Sequence, residues 1–107
     1  MDAIYIAEHQ FKQEVIDSDR LVLVDFYTDW CMPCKTLSPL LDKMAHQFAK
    51  EIRVVKINAD DEQRLATVYK VRSVPTVLFF KLGKVVDTIV GVSNENAYMN
   101  AIRKQLR

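Results

Sequence analysis

The run Leu21-Val22-Leu23-Val24-Asp25-Phe26-Tyr27 constrains this chain more than any other segment. Apart from Asp25 it is continuously apolar. A strand with one wet face alternates apolar and polar residues, whereas a continuous run needs cover on both faces. Covering both faces of a sheet takes layers of helix, so the segment calls for an α/β architecture with this strand near the middle.

The rest of the chain supplies the layers. Ala3 to Ile6 reads as a short strand, and Glu8 to Ile16 as an amphipathic helix with Phe11, Val15 and Ile16 inward. Asp17-Ser18-Asp19 ends that helix. Residues 35–49 place Leu37, Leu40, Leu41, Met44, Ala45 and Phe48 at helical spacing, with Pro39 expected to bend the helix because it lacks an N–H. Arg53 to Ile57 is a strand. Asp60 to Lys70 is a helix with Leu65, Val68 and Tyr69 inward. Thr76 to Phe80 and Val85 to Val90 are strands joined at Leu82-Gly83, where glycine suits a tight hairpin. Asn94 is placed to cap a last helix running to about Leu106, with Ala97, Tyr98, Ile102 and Leu106 inward. The order is β-α-β-α-β-α-β-β-α. Strands separated by helices are expected to be parallel and the final hairpin antiparallel.

The 107 residues fit one domain, and no linker, repeat or boundary interrupts them. Charge is balanced at +1 with no basic stripe, which argues against a nucleic-acid partner. The basic residues Arg103, Lys104 and Arg107 suit the negative pole of a helix end. No apolar run approaches the ~20 residues of a membrane span. Met1-Asp2-Ala3-Ile4 lacks the pattern of an export signal, so the expectation is a cytoplasmic protein.

Chemistry concentrates at Trp30-Cys31-Met32-Pro33-Cys34, where the central strand gives way to a helix. A helix N-terminus presents free N–H groups and a positive dipole end, both of which stabilise a thiolate. With Cys31 at the N-cap, Cys34 lies three residues on, and the two sulfurs can close a disulfide. Pro33 then falls in the first turn, where its missing N–H is harmless, and stiffens the loop. An exposed Cys31 can attack a disulfide in another protein; a more buried Cys34 can resolve the mixed disulfide. A lone C-x-x-C is also half a zinc site, but His9 and His46 have no ligand spacing to it, so no metal is expected. A structural bridge across two residues would constrain the unfolded chain little.

Two further residues stand out. Asp25 interrupts an apolar strand six residues before Cys31; burial would raise its pKa and fit it to act as base for Cys34. Lys56, in the run Val54-Val55-Lys56-Ile57, is either its partner or an exposed strand lysine. Pro75 precedes a strand, a place where proline is tolerated, and on base rates alone its peptide bond is trans.

Taken together, Val24-Asp25-Phe26-Tyr27, Trp30-Cys31-Met32-Pro33-Cys34-Lys35, Pro39, Val55-Lys56-Ile57-Asn58, Val71-Arg72-Ser73-Val74-Pro75-Thr76, Phe80-Lys81-Leu82-Gly83 and Gly91 resemble the thioredoxin family, over essentially the whole chain. The resemblance implies a central mixed five-stranded sheet flanked by four helices in one domain, 1–107. It implies Cys31 as nucleophile, Cys34 as resolving thiol and Asp25 as its proton acceptor, with Lys56 as electrostatic neighbour. Pro75 would be cis and packed against the cysteines. Trp30, Val74 and Gly91 would join it in a groove for client proteins. The implied partners are disulfide-containing clients and thioredoxin reductase, which draws on NADPH; the protein itself would bind no cofactor and act as a monomer. Met32 stands where the family usually has glycine and would tune redox poise and docking with Pro33. The segment Val92-Ser93-Asn94-Glu95-Asn96 also departs from the family's small-residue pattern. A thioredoxin-like docking module without turnover, or a specialised oxidant or isomerase, are the competing functions.

Overall fold

A computed structural model describes residues 3–107; Met1 and Asp2, part of the segment expected to carry no export signal, lie outside the described residues. Five strands form one sheet in the order β1-β3-β2-β4-β5: β1 Ile4–Tyr5, β2 Leu21–Tyr27, β3 Ile52–Asn58, β4 Thr76–Lys81 and β5 Lys84–Val90. The helices are α1 Met32–Gln47, α2 Gln63–Val68 and α3 Glu95–Gln105, preceded by a helical segment between β1 and β2. The five-stranded sheet with four helical segments is the expected architecture.

β2 is central and buried along nearly its whole length, as a run apolar at every position but Asp25 requires. Its alternate residues feed two cores. Val22, Val24 and Phe26 meet Phe11, Val15, Leu65 and Ala66 from the first helical segment and α2. Leu21 and Leu23 meet Leu37, Leu41, Met44, Tyr98 and Ile102 from α1 and α3. Asp25 shares the odd-numbered face with Leu21 and Leu23, so the strand's period of two turns it toward α1.

Several expectations are corrected. Glu8–Ile16 is not one α-helix: Glu8–Gln10 is a 3-10 turn and Lys12–Ile16 a π-helical turn. Phe11 and Ile16 are five residues apart, the π spacing, so both still reach inward. Helix α2 is shorter than expected because the Asn58 side chain accepts from the N–H of Asp60 and of Asp61, holding them in a turn. Ala66 turns inward with Leu65, leaving Val68 exposed. Leu106 falls beyond the last turn of α3 and is also exposed.

The sheet is not parallel up to the hairpin. β1 and β2 run parallel to β3, but β4 is antiparallel to β2. A six-residue helix spans about 9 Å, whereas a seven-residue strand spans about 23 Å. α2 is too short to carry the chain back to the opposite end of the sheet, so β4 starts where β3 finished. This places the loop before β4 at the same end as the loop after β2.

Candidate active site

The two loops that meet at this end carry the chemistry. Cys31 is the N-cap of α1, in extended backbone, and its Sγ accepts the N–H of Cys34 at 3.1 Å. Met32 and Pro33 form the first turn, and the Cα atoms of Cys31 and Cys34 lie 5.3 Å apart with the sulfurs joined in a disulfide. Both cysteines are buried to the same degree, 4% exposed each. The expected contrast in exposure is therefore absent in this oxidised form, because the bridge draws both sulfurs into one tight ring. The contrast lies in their surroundings. Cys31 sits at the cap beside two exposed side chains, Trp30 and Met32. Cys34 lines a cavity of about 340 Å³ that also reaches Asp25, Tyr27, Ser38 and Lys56.

Asp25 is buried, and its Oδ1 has no hydrogen-bond partner. Burial pushes its pKa from the ordinary 3.8 up to about 7; Lys56 opposes that rise and Asp42 adds to it. Lys56 is not the exposed strand lysine that the sequence alone also allowed. It is 3% exposed and sits in register with Asp25 across the β2–β3 pair. Its ammonium, however, donates to Ser38 Oγ at 2.6 Å and Asp42 Oδ1 at 2.7 Å, both on α1. The direct ion partner of Lys56 is Asp42, a residue the sequence reading did not single out. Its spacing four residues from Ser38 was visible, but nothing local marked that helix face as opposite Lys56.

The second loop supplies the rim. The Val74–Pro75 peptide bond is cis, where base rates favoured trans and the family resemblance implied cis. Pro75 is buried and Val74 half-buried. Gly91, at φ +81°, donates its N–H to the Pro75 carbonyl at 2.8 Å and so ties the end of β5 to this turn. Trp30 is 71% exposed and donates its indole N–H to Asp60 Oδ2 at 2.8 Å. Asp60 is a second residue the sequence reading missed. Trp30 and Val74 line one depression together with Arg72 and Ser73. Among the described residues, no group of three or more His, Cys, Asp or Glu is placed to hold a metal ion, and no helix is long and apolar enough to cross a membrane.

A reversible cysteine pair capping a helix at the end of a mixed α/β sheet defines a thiol–disulfide oxidoreductase. The thioredoxin family model matches residues 2–104. Thioredoxin from Porphyra purpurea is 41% identical over 106 residues, covering 99% of each chain. Thioredoxin 1 from Nostoc sp. is 41% identical over 104 residues, 97% of each. Among solved structures, a mutant thioredoxin from Halobacterium salinarum NRC-1 superimposes with a TM-score of 0.91 at 35% identity, over 99% of this chain and 92% of that one. The chain belongs to the thioredoxin family, and its activity is that of a protein-disulfide reductase.

Proposed function

We propose that residues 1–107 act as one thioredoxin-like unit in which Cys31 and Cys34 take unequal parts. The reduced Cys31 thiolate, favoured by the helix N-terminus, attacks one sulfur of a client disulfide. The client's other sulfur leaves as a thiolate and takes up a proton. Asp25 accepts the Cys34 proton through the cavity they share. The Cys34 thiolate then attacks Cys31 Sγ, breaks the mixed disulfide and releases the second client thiol. Two electrons have passed to the client, and the Cys31–Cys34 disulfide remains. A carboxyl that titrates near neutrality suits the transfer, since proton acceptance is most effective when pKa and working pH are close.

The observation that carries this reading is the helix-capping disulfide with a buried carboxyl, its Oδ1 without a hydrogen-bond partner, on the same cavity. Trp30, Val74, Pro75 and Gly91 form the surface on which a client lies, and Met32, Pro33 and Lys56 tune redox poise. Thioredoxin reductase, drawing on NADPH, restores the dithiol, so the protein carries electrons without a bound cofactor. The working form is a cytoplasmic monomer. The family implies clients and a reductase in general terms; these finer assignments extend it. Insulin-disulfide reduction tests the cysteine roles. Cys31→Ser abolishes it, whereas Cys34→Ser accumulates a mixed disulfide with the client. Activity surviving in Cys31→Ser would refute the assignment.

A further inference from the structure

Asp25 and Lys56 occupy paired positions on neighbouring strands, and elementary electrostatics would join carboxylate to ammonium. The two are not joined. The Lys56 ammonium is engaged by Ser38 Oγ and Asp42 Oδ1, while Asp25 Oδ1 has no partner. Ser38 and Asp42 are four residues apart on α1, so one helix face presents both to the same cation. We propose that Ser38 and Asp42 are positioning residues that clamp the Lys56 ammonium against α1 and deny Asp25 a counter-ion. The inference rests on Asp25 serving as proton acceptor for Cys34, and names what sets it up for that task.

Burial decides which carboxyl wins the lysine. Lys56 is 3% exposed and its ammonium needs an anion, because an unpaired buried charge is costly. The Asp42 side chain is 58% exposed. It can neutralise Lys56 while keeping much of its own hydration. A pair with Asp25 would instead remove two ions from water. Ser38 adds a hydroxyl acceptor, and the Tyr5 ring, 5.5 Å from the ammonium, covers another side.

The other groups around Asp25 are weaker levers. Tyr5 on β1, Tyr27 on β2 and Asp29 in the following loop line the shared cavity, as do Cys34 and Lys35 on α1. Lys35 is exposed and solvated. Tyr98 faces in from α3, and its pKa is pushed up by burial first and by Asp25 second. Lys56 is the buried cation among them, so moving it changes Asp25 most.

The test is a titration of the Asp25 carboxyl, read by carbon NMR in the oxidised protein. In Asp42→Asn the lysine loses its anion, and Asp25, its register partner on β2, is left to take that place. The titration midpoint then falls by about one pH unit or more, as for a carboxyl gaining a cation at close range. Ser38→Ala, which changes no charge, moves it the same way by less. Asp42 also acts on Asp25 directly, so the substitution is repeated in a Lys56→Gln background. The clamp requires the shift there to drop to less than half. Equal shifts in both backgrounds, or none in Asp42→Asn, overturn it. The pH profile of mixed-disulfide resolution, followed in parallel, separates the two readings. A moved titration with an unmoved profile upholds the clamp and refutes Asp25 as the base for Cys34.

Discussion

At Asp25 the cost of burial and the proposed role as proton acceptor pull in opposite directions. The unfolded chain releases this proton near the ordinary 3.8, and the folded chain near 7. Below about pH 4 both states hold it and burial carries no ionic penalty. Between those values the folded state binds one proton more than the unfolded, so stability falls as pH rises, and the loss is complete above about 7. A rise of this size corresponds to a few kcal/mol, on the order of 4. Asp25→Asn in the oxidised protein is therefore expected to exceed the parent by a few kcal/mol at pH 8 and to match it near pH 4. Urea unfolding at the two pH values measures this; equal stability at pH 8 contradicts the burial penalty. Asp25 and the cysteine pair were legible in the sequence because each is the wrong residue type for a purely structural role at its place. Asp42 was not, because an acid on a helix surface is ordinary until the helix is docked. Its importance comes from lying over Lys56, a relation of tertiary structure with no local signature.

Among the elements, those with a strong pattern were legible and those governed by turns were less so. β2 and α1 follow directly from hydrophobic spacing, with Pro39 accommodated inside α1 at the loss of one backbone donor. α2 was overextended because Asn58 competes for the backbone ahead of it. Its far end is also set by a turn. Val71 N–H donates to the Ala66 carbonyl and Lys70 N–H to Thr67, the two bonds of a Schellman cap, with Lys70 at φ +58°. The left-handed conformation is unfavourable for lysine and open to glycine. Lys70 is exposed, so its side chain has little to lose. Lys70→Gly is expected to raise stability by about 1 kcal/mol, read as a higher denaturation midpoint at unchanged slope. A similar position occurs at Leu82, φ +50°, beside Gly83 at φ +81° in the two-residue turn between β4 and β5. Both positive angles are those of a type I′ hairpin, where asparagine is preferred at the first site. Leu82→Asn is expected to stabilise the hairpin in the same assay.

For the whole molecule, the arrangement of charge and apolar surface bears on how clients are captured. Net charge is +1, so long-range attraction toward charged partners is weak. The short antiparallel return into β4 gathers the loop after β2, the loop before β4 and the end of β5 at one end of the sheet. Exposed apolar side chains occur on these segments: Trp30 and Met32 flank Cys31 in the chain and Val92 follows the end of β5, while Val74, half-buried, shares a depression with Trp30. Capture on such a surface depends on removing apolar area from water, which ions screen little, rather than on steering, which salt suppresses. The kcat/KM for a neutral disulfide-containing peptide is therefore expected to change by less than about threefold between roughly 50 and 300 mM salt, a range over which steered association falls steeply. Met32 is 67% exposed and next in the chain to Cys31, the proposed nucleophile, so it is the side chain expected to be covered by a client. Partial burial of a methionine contributes about 1 kcal/mol, so Met32→Ser should lower kcat/KM roughly fivefold at every salt concentration. Steady-state reduction of such a peptide across the salt series reads both effects together. A steep fall with salt, or a Met32→Ser deficit that vanishes at high salt, would mean that charge rather than apolar contact brings clients to Cys31.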